Sequence, residues 1–220
     1  SKEHHCIGML RSLLNKFMTK KTQIVNHKEL NYRLDKRGRR LFYKKYSKYP
    51  FTGIAEEYFD GEPQKKVSFK NGRPDGPYFY YNLKGKLIRK GFCKDGFFDG
   101  LCETKEIWGG GYKIARDNYK NGYLLKTTSF NNQGGVSGCY IPFESIKLKK
   151  QKIQNLNRMN YHDAVDSYLK KKRIFSNSYI SRSTSILEWR VSVKDGAWKY
   201  FDENGNCKKR EKYKNGRKVK

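Results

Sequence analysis

The chain has 220 residues, of which 49 are basic and 21 acidic, so its formal net charge is +28. Its aromatic share of 15% excludes the composition of a disordered chain, which combines high charge with few aromatic residues. So basic a surface predicts contact with nucleic acid, anionic lipid or an acidic protein; a merely solvated lysine-rich surface is the alternative.

The cysteine content and the hydropathy of the sequence indicate in which cellular compartment the protein works. The five cysteines are an odd number without a Cys-x-x-Cys pair, which favours reduced thiols over a disulfide framework. No stretch is apolar enough to predict a membrane span. The sequence shows no signal peptide and predicts a cytoplasmic protein. Because it opens at Ser1, an exported or lipoprotein-anchored form whose leader was removed is the alternative.

Residues 1–29 are predicted to form a helical cap. Apolar residues recur at helical spacing within a segment of about Cys6 to Lys20, at Ile7, Leu10, Leu14 and Phe17. One interpretation is that this amphipathic helix covers the exposed edge of the first hairpin. The other is a helix that lies on a membrane surface.

Residues 30–135 are predicted to form β-hairpin repeats. Glycines recur at positions 53, 61 and 72, then at 76, 85 and 96, and again at 196, 205 and 216. Many follow Asn or Asp, and such pairs supply the positive backbone angles of tight hairpin turns. The aromatic and β-branched residues between them favour strands. Because a single hairpin is marginal in water, the pattern predicts an elongated antiparallel sheet of stacked hairpins.

Two units of this array are irregular, and one precedes the glycine pattern. The segment Leu30–Tyr46 is predicted to be a leading hairpin. The unit that starts at Asp99 is interrupted by Gly109–Gly111, which indicates either a loop insertion or a binding bulge on one face. A degenerate fourth unit is predicted from Leu125 to about Gly135.

The turn signals vanish in residues 136–189, which are predicted to be an insertion with a short helix at about 162–172. This helix ends in four consecutive basic residues, Lys170, Lys171, Lys172 and Arg173. They either complement the negative end of the helix dipole or form an anion-binding patch. Residues 190–220 then return to the repeat pattern as a C-terminal hairpin.

The spacing Gly-x-x-x-Tyr-(Phe/Tyr)-x-x-x-Gly, followed by Tyr/Phe-Lys-Asn/Asp-Gly, resembles the MORN-variant repeat. The segment Tyr49-Pro50-Phe51-Thr52-Gly53 resembles the bacterial antitoxin and immunity group called YwqK-like. The resemblance covers about residues 30–135 and 190–220. It implies an elongated antiparallel sheet of hairpins and a binding or toxin-neutralising role. The chain departs from the pattern at Gly109–Gly111 and between residues 136 and 190.

Signatures of catalysis are weak, and the sequence predicts a non-catalytic protein without a metal site or cofactor. His4 and His5 lie beside Cys6, but no further ligand has metal-binding spacing. Gly109–Gly111 lacks the strand–loop–helix context of a phosphate-binding loop. No serine stands in a nucleophile-elbow motif.

The predicted function is protein binding, with a cognate toxin of acidic surface as the expected partner, because complementary charge speeds association. Aromatic residues are frequent anchors of interfaces, and the candidates are Tyr58, Tyr80, Trp108, Trp198 and Tyr200. The same residues could instead pack between hairpins, since alternation turns about half of them inward. A scaffold on an anionic membrane surface is the second hypothesis. Nucleic-acid binding is the third.

Overall fold

The computed structural model describes residues 22–108, 111–142, 167, 179–180 and 190–220. The strands, in chain order, are β1 (Ile24–Asn26), β2 (Leu30–Leu34), β3 (Arg40–Lys44), β4 (Gly53–Phe59), β5 (Glu62–Lys70), β6 (Arg73–Tyr81), β7 (Leu87–Lys94), β8 (Phe97–Phe98), β9 (Gly100–Trp108), β10 (Gly111–Lys120), β11 (Tyr123–Asn131), β12 (Gly134–Pro142), β13 (Tyr179–Ile180), β14 (Ser192–Phe201), β15 (Cys207–Lys214) and β16 (Arg217–Val219). The fold is therefore mainly β, as the turn and aromatic pattern predicts.

Most strands belong to one 14-stranded sheet with the order β1-β4-β5-β6-β7-β9-β10-β11-β12-β14-β15-β16. Strand β8 pairs with β7, and β13 pairs with β14. The β1–β4 pair is parallel, and the other pairs are antiparallel. Apart from the pairs β1–β4 and β12–β14, neighbours in the sheet follow one another closely in sequence, which is the arrangement that stacked hairpins require.

The leading hairpin is confirmed, but it stands outside the main sheet. Strands β2 and β3 form a separate two-stranded sheet within the predicted segment Leu30–Tyr46. Its Phe42 is 4% exposed and packs against Phe69 of β5, with ring centroids 5.3 Å apart. The Phe42 backbone N–H also donates to the carbonyl of Gly72 at 2.7 Å. The leading hairpin thus docks through its aromatic side chain onto the first repeat.

The Asn-Gly and Asp-Gly turns have the backbone that their sequence predicts. Asn71, Asp95, Asn121 and Asn215 all have φ between 47° and 51°, and the glycine that follows each also has positive φ. Two successive residues with positive φ define the tight turn whose twist matches that of a hairpin. Local sequence is therefore sufficient to fix these four reversals.

Each of these turns is held by a side chain from the start of its own repeat. The backbone N–H of Asn71 donates to Thr52 Oγ1 at 3.0 Å, and that of Asn121 donates to Asp99 Oδ2 at 3.0 Å. The same bond joins Asp95 to Asp75 and Asn215 to Asp195. We call this hydrogen bond the turn latch. Asp75 and Asp99 each precede a glycine at the start of their repeat, and each accepts from the turn at the end of that repeat.

The unit with the Gly109–Gly111 interruption keeps its latch and is longer only at the opposite end. The β9–β10 ladder continues to the pair Trp108↔Gly111, whereas the last pair of β10 with β11 is Lys113↔Asn131. The additional residues therefore extend the hairpin beyond its neighbour β11. The degenerate fourth unit, predicted from Leu125 to about Gly135, contains most of β11, and β12 starts at its end and continues to Pro142.

The helical part of the predicted fold is not confirmed. Among the described residues, His27–Glu29 form a 3-10 turn capped by Asn26, and the single described residue of the predicted helix at 162–172, Ser167, is helical. The predicted helices at Cys6–Lys20 and 162–172 lie outside the described residues, apart from Ser167. In the described ranges, no helix has the length and apolarity that crossing a membrane requires.

The core lies on one face of the sheet, called here the inner face. Tyr78 is fully buried and packs edge-on against Phe98, with ring centroids 5.3 Å apart. Phe98 in turn lies 5.2 Å from the ring of Tyr119. Each such burial contributes about 1.5–3 kcal/mol to folding. Aromatic residues of successive repeats therefore hold the hairpins together, and the opposite, outer face is partly exposed to solvent.

Candidate interaction surface

One row of side chains crosses ten neighbouring strands on the outer face. Consecutive members are direct register partners, and no register shift interrupts the row. We call it the outer row, and its members are Glu56, Lys66, Phe79, Lys90, Glu103, Arg116, Thr128, Ser137, Lys199 and Arg210. Directly opposed residues share a face of a sheet, so these side chains form one continuous line. Five are basic and two are acidic.

Charges are paired in the first half of the outer row. Lys66 Nζ lies 2.9 Å from Glu56 Oε1, and Lys90 Nζ lies 2.9 Å from Glu103 Oε2. Arg116 Nε lies 3.4 Å from the other oxygen of Glu103. The hydrogen bond from Lys90 is the main reason that the pKa of Glu103 falls below its ordinary value. Ion pairs that are partly exposed, as these are, add little stability.

The second half of the outer row carries unbalanced positive charge. Lys199 and Arg210 are exposed and oppose each other directly across β14 and β15. The neighbour of Lys199 on β12 is Ser137, and Thr128 of β11 follows Ser137, so the next two members of the outer row carry hydroxyl groups and no charge. Two like charges side by side are unfavourable in a sheet. An acidic partner would relieve that repulsion.

Tyr58 stands at the β4 end of the outer row and is 46% exposed. Its hydroxyl donates to Glu56 Oε2 at 2.6 Å, and this bond is the main cause of a lowered pKa for the Glu56 carboxyl. The same bond raises the pKa of Tyr58. The ring is therefore both exposed and held in place, as an aromatic interface residue needs to be.

Exposed apolar side chains flank the outer row. Phe92 is 49% exposed, Leu101 is 55% exposed and Ile114 is 44% exposed. Each lies two residues along its strand from a charged member of the row, so it points to the same face. Apolar side chains beside a charged line give the outer face the mixed character of protein-binding surfaces.

Two clefts flank the extended β9–β10 hairpin. One, of about 250 Å³, has Ile88, Tyr112 and Ile114 among its lining residues. The other, of about 330 Å³, reaches to Asn131 on the side of β11. Both clefts share Glu106, Tyr112 and Lys113. The extended hairpin therefore borders concave surface on both of its sides.

The inner face carries a buried polar cluster. Tyr78 donates its hydroxyl to Cys102 Sγ at 2.9 Å, and Arg89 Nε donates to the same sulfur at 3.3 Å. Nearby, Thr127 donates to Asp117 Oδ1 at 2.6 Å, while burial raises the pKa of the Asp117 carboxyl. These bonds satisfy polar groups that would be costly to bury alone. The cluster joins β6, β7 and β9, and it joins β10 to β11.

Trp198, which the sequence nominates as an interface anchor, is buried. Its side chain is 1% exposed, and its indole N–H donates to the Cys139 carbonyl at 3.1 Å. Alternation along β14 turns it to the inner face, where it packs against the Tyr140 ring with centroids 4.9 Å apart. Trp198 is therefore a core residue, and the prediction of a surface anchor at this position is wrong.

The other nominated residues divide between the two faces. Tyr80 lies on the inner face between Lys65 and Arg89, and burial raises its pKa to about 12. Tyr200 is also on the inner face, where its hydroxyl accepts from Lys194 Nζ at 3.0 Å. Of the five, Tyr58 alone is shown to be exposed on the outer face. The side chain of Trp108 and the whole Lys170–Arg173 run lie outside the described part of the chain.

Sequence reasoning missed Phe92, Leu101 and Ile114. The available signal was the alternation of apolar and charged residues in β7, β9 and β10, but alternation does not tell which face is covered.

Within the part of the chain that the structure describes, no group of His, Cys, Asp and Glu is arranged to hold a metal ion.

Comparisons with protein-family models, with curated proteins and with solved structures found no match to this chain. The resemblance to MORN-variant repeats therefore depends on the repeated motif itself and stays a prediction.

Proposed function

We propose that this chain is a non-catalytic protein-binding repeat protein, which acts as an antitoxin or immunity protein by binding a cognate bacterial toxin directly. The outer row, with Phe92 and Leu101 beside it, is the observation that carries the proposal. It is continuous, accessible and chemically mixed. The toxin-neutralising role rests on the resemblance of Tyr49–Gly53 to the YwqK-like group.

The composition of the outer row favours a protein partner over nucleic acid. Glu56 and Glu103 belong to the row itself, and a phosphate backbone laid along it would meet both carboxylates. A folded protein can offer a basic group opposite each of them, and acidic groups opposite the lysines. Exposed apolar residues also add binding energy when a protein partner buries them, whereas contact with a phosphate backbone adds none.

Charge favours an acidic partner. The outer row has five basic residues against two acidic ones, and the whole chain has a net charge of +28. Complementary charge raises the association rate more than it raises the final affinity. An acidic surface would be attracted most strongly at Lys199 and Arg210, because these two positive charges have no acidic neighbour in the outer row.

The test is co-expression of this chain with the product of the adjacent gene, followed by affinity co-purification and a growth assay. We expect a complex that protects the cells. The double variant Lys199→Glu/Arg210→Glu should slow association by about tenfold or more and weaken protection. The matched control is Lys36→Glu/Lys45→Glu, which changes two exposed lysines of the leading hairpin and should leave association close to that of the unchanged protein.

Absence of any complex and of any protection would contradict the proposal. So would an equal effect of the two double variants, because the outer row would then have no special role. Two further probes address the other hypotheses. Stronger binding to vesicles that contain phosphatidylserine, or to duplex DNA, at the same salt concentration would replace the protein partner with that ligand.

A further inference from the structure

The cleft between β7 and the extended β9–β10 hairpin has a composition that a specific ligand would match. Its lining includes three partly exposed apolar side chains, Ile88, Tyr112 and Ile114. Two exposed lysines, Lys86 and Lys105, also line it. Lys113 and Glu106 border it as well, but they oppose each other in the β9–β10 ladder, and alternation turns both of their side chains to the inner face. An apolar floor beneath a basic rim selects a group that is apolar at its centre and anionic around it.

The volume of the cleft suits a single side chain better than a whole drug-sized ligand. Its volume of about 250 Å³ lies below the range of roughly 300–1,000 Å³ that is usual for small-molecule sites. A single large side chain presented by a peptide segment suits this volume. Such anchor side chains, buried in a small pocket and surrounded by polar contacts, supply much of the energy of protein interfaces.

The position of the cleft links it to the outer row. Ile114 pairs with Lys105, and it lies two residues from Arg116 of the outer row. A partner laid along the row therefore reaches the cleft without leaving the outer face. The free end of the β9–β10 hairpin, beyond the pair Lys113↔Asn131, forms one wall of the cleft and limits how the partner is placed.

We propose that this cleft binds one large apolar side chain from an acidic segment of the protein partner, with the flanking carboxylates on Lys86 and Lys105. The inference deepens the proposed function, on which it rests, by naming what the partner presents. It makes the extended hairpin the specificity-determining element, while the outer row supplies charge attraction that many acidic surfaces would share.

The test uses the full chain and a synthetic peptide, so it does not require the partner. The probe is a capped peptide with a central phenylalanine that has two acidic residues on each side. Backbone amide shifts of the ¹⁵N-labelled chain report the site. We expect concentration-dependent shifts that cluster at Ile88, Lys105, Tyr112 and Ile114. A peptide with alanine at the centre should bind about tenfold more weakly or worse.

Variants separate the cleft from general charge attraction. Tyr112→Ala and Ile114→Ala should each weaken binding of the phenylalanine peptide by about tenfold. Both side chains are about half exposed, so the fold should survive. The matched control is Leu34→Ala, which removes an exposed apolar side chain of the leading hairpin, outside the outer row and the cleft, and should leave peptide binding unchanged.

Each alternative result overturns the proposal. Equal binding of the alanine peptide would show attraction by charge alone, and shifts spread along Lys66, Lys90 and Lys199 would show the same. Shifts that are absent altogether would mean that the cleft binds no such segment. If the co-expressed partner binds the unchanged protein and Tyr112→Ala equally well, the cleft proposal fails while the proposed function stands.

Discussion

The indole of Trp198 lies against Gly138 of the neighbouring strand β12, and a Cβ atom at Gly138 would overlap the ring. The aromatic side chain thus covers a backbone position that has no side chain of its own. Gly91 and Tyr78 repeat the arrangement between β6 and β7, since a Cβ at Gly91 would meet the Tyr78 ring. These glycines are required by packing between strands.

Gly138→Ala is expected to destabilise the protein by about 1–3 kcal/mol, because the added methyl group forces Trp198 out of its position. Urea unfolding at neutral pH measures the change. In the double variant with Trp198→Leu, the cost of Gly138→Ala should largely disappear, since the ring that it meets is gone. A Gly138→Ala protein as stable as the unchanged chain would show that the ring moves aside without cost.

Asp99→Ala removes one turn latch, and it is expected to cost about 1–3 kcal/mol because the Asn121 N–H loses a charged acceptor. The same side chain also lies 3.3 Å from Lys120 Nζ. Hydrogen exchange of the Asn121 amide should accelerate by about tenfold or more. Asp99→Asn is the control, since its amide oxygen can still accept and should keep that amide protected. Equal exchange rates in both variants would contradict the latch.

Phe97 lies between two guanidinium groups, with the Cζ atoms of Arg39 and Arg190 each 4.3 Å from its ring centroid. Phe97→Leu keeps an apolar side chain but removes the ring, so we expect a loss of about 1–2 kcal/mol in the free energy of unfolding. Hydrogen exchange at the Arg190 amide, which donates to Gly122, should rise. The control Phe92→Leu, at an exposed position, should change stability by no more than about 0.5 kcal/mol.

Acidification is expected to loosen the C-terminal hairpin through Glu211. Hydrogen bonds from Lys209 and Lys218, each 2.8 Å long, and from Tyr213 lower the pKa of its carboxyl well below the ordinary value of 4.5. The unfolded chain therefore binds the proton more readily. Hence the stabilisation is fully present above about pH 4.5 and is lost as the pH falls through the folded-state value.

Glu211→Gln should flatten this pH dependence. We expect the difference in urea stability between pH 7 and pH 3 to be smaller in this variant than in the unchanged protein. Glu203→Gln, at an exposed turn position, should keep the original dependence. If the pH profile of Glu211→Gln matches that of the unchanged chain, the carboxyl of Glu211 contributes nothing to acid sensitivity.

Prediction succeeded where the signal is local. The Asn71-Gly72 and Asn121-Gly122 turns follow from two adjacent residues, and the leading hairpin follows from a short segment. Prediction of the surface was less accurate. Tyr58 and Tyr200 each open a Tyr-Phe-Asp segment in their repeats, yet Tyr58 is on the outer face and Tyr200 is on the inner face. The difference depends on register and on the bulges between strands, which no short segment specifies.

The sequence by itself determined that this protein is a series of antiparallel hairpins, because the tight turns and the aromatic strands between them are encoded by residues close together in the chain. Only the tertiary structure decided which face is covered, that the outer row runs unbroken from Glu56 to Arg210, and that one hairpin extends past its neighbour to form a cleft. Those features arise from cross-strand pairing between distant residues, and pairing is settled when the whole sheet assembles.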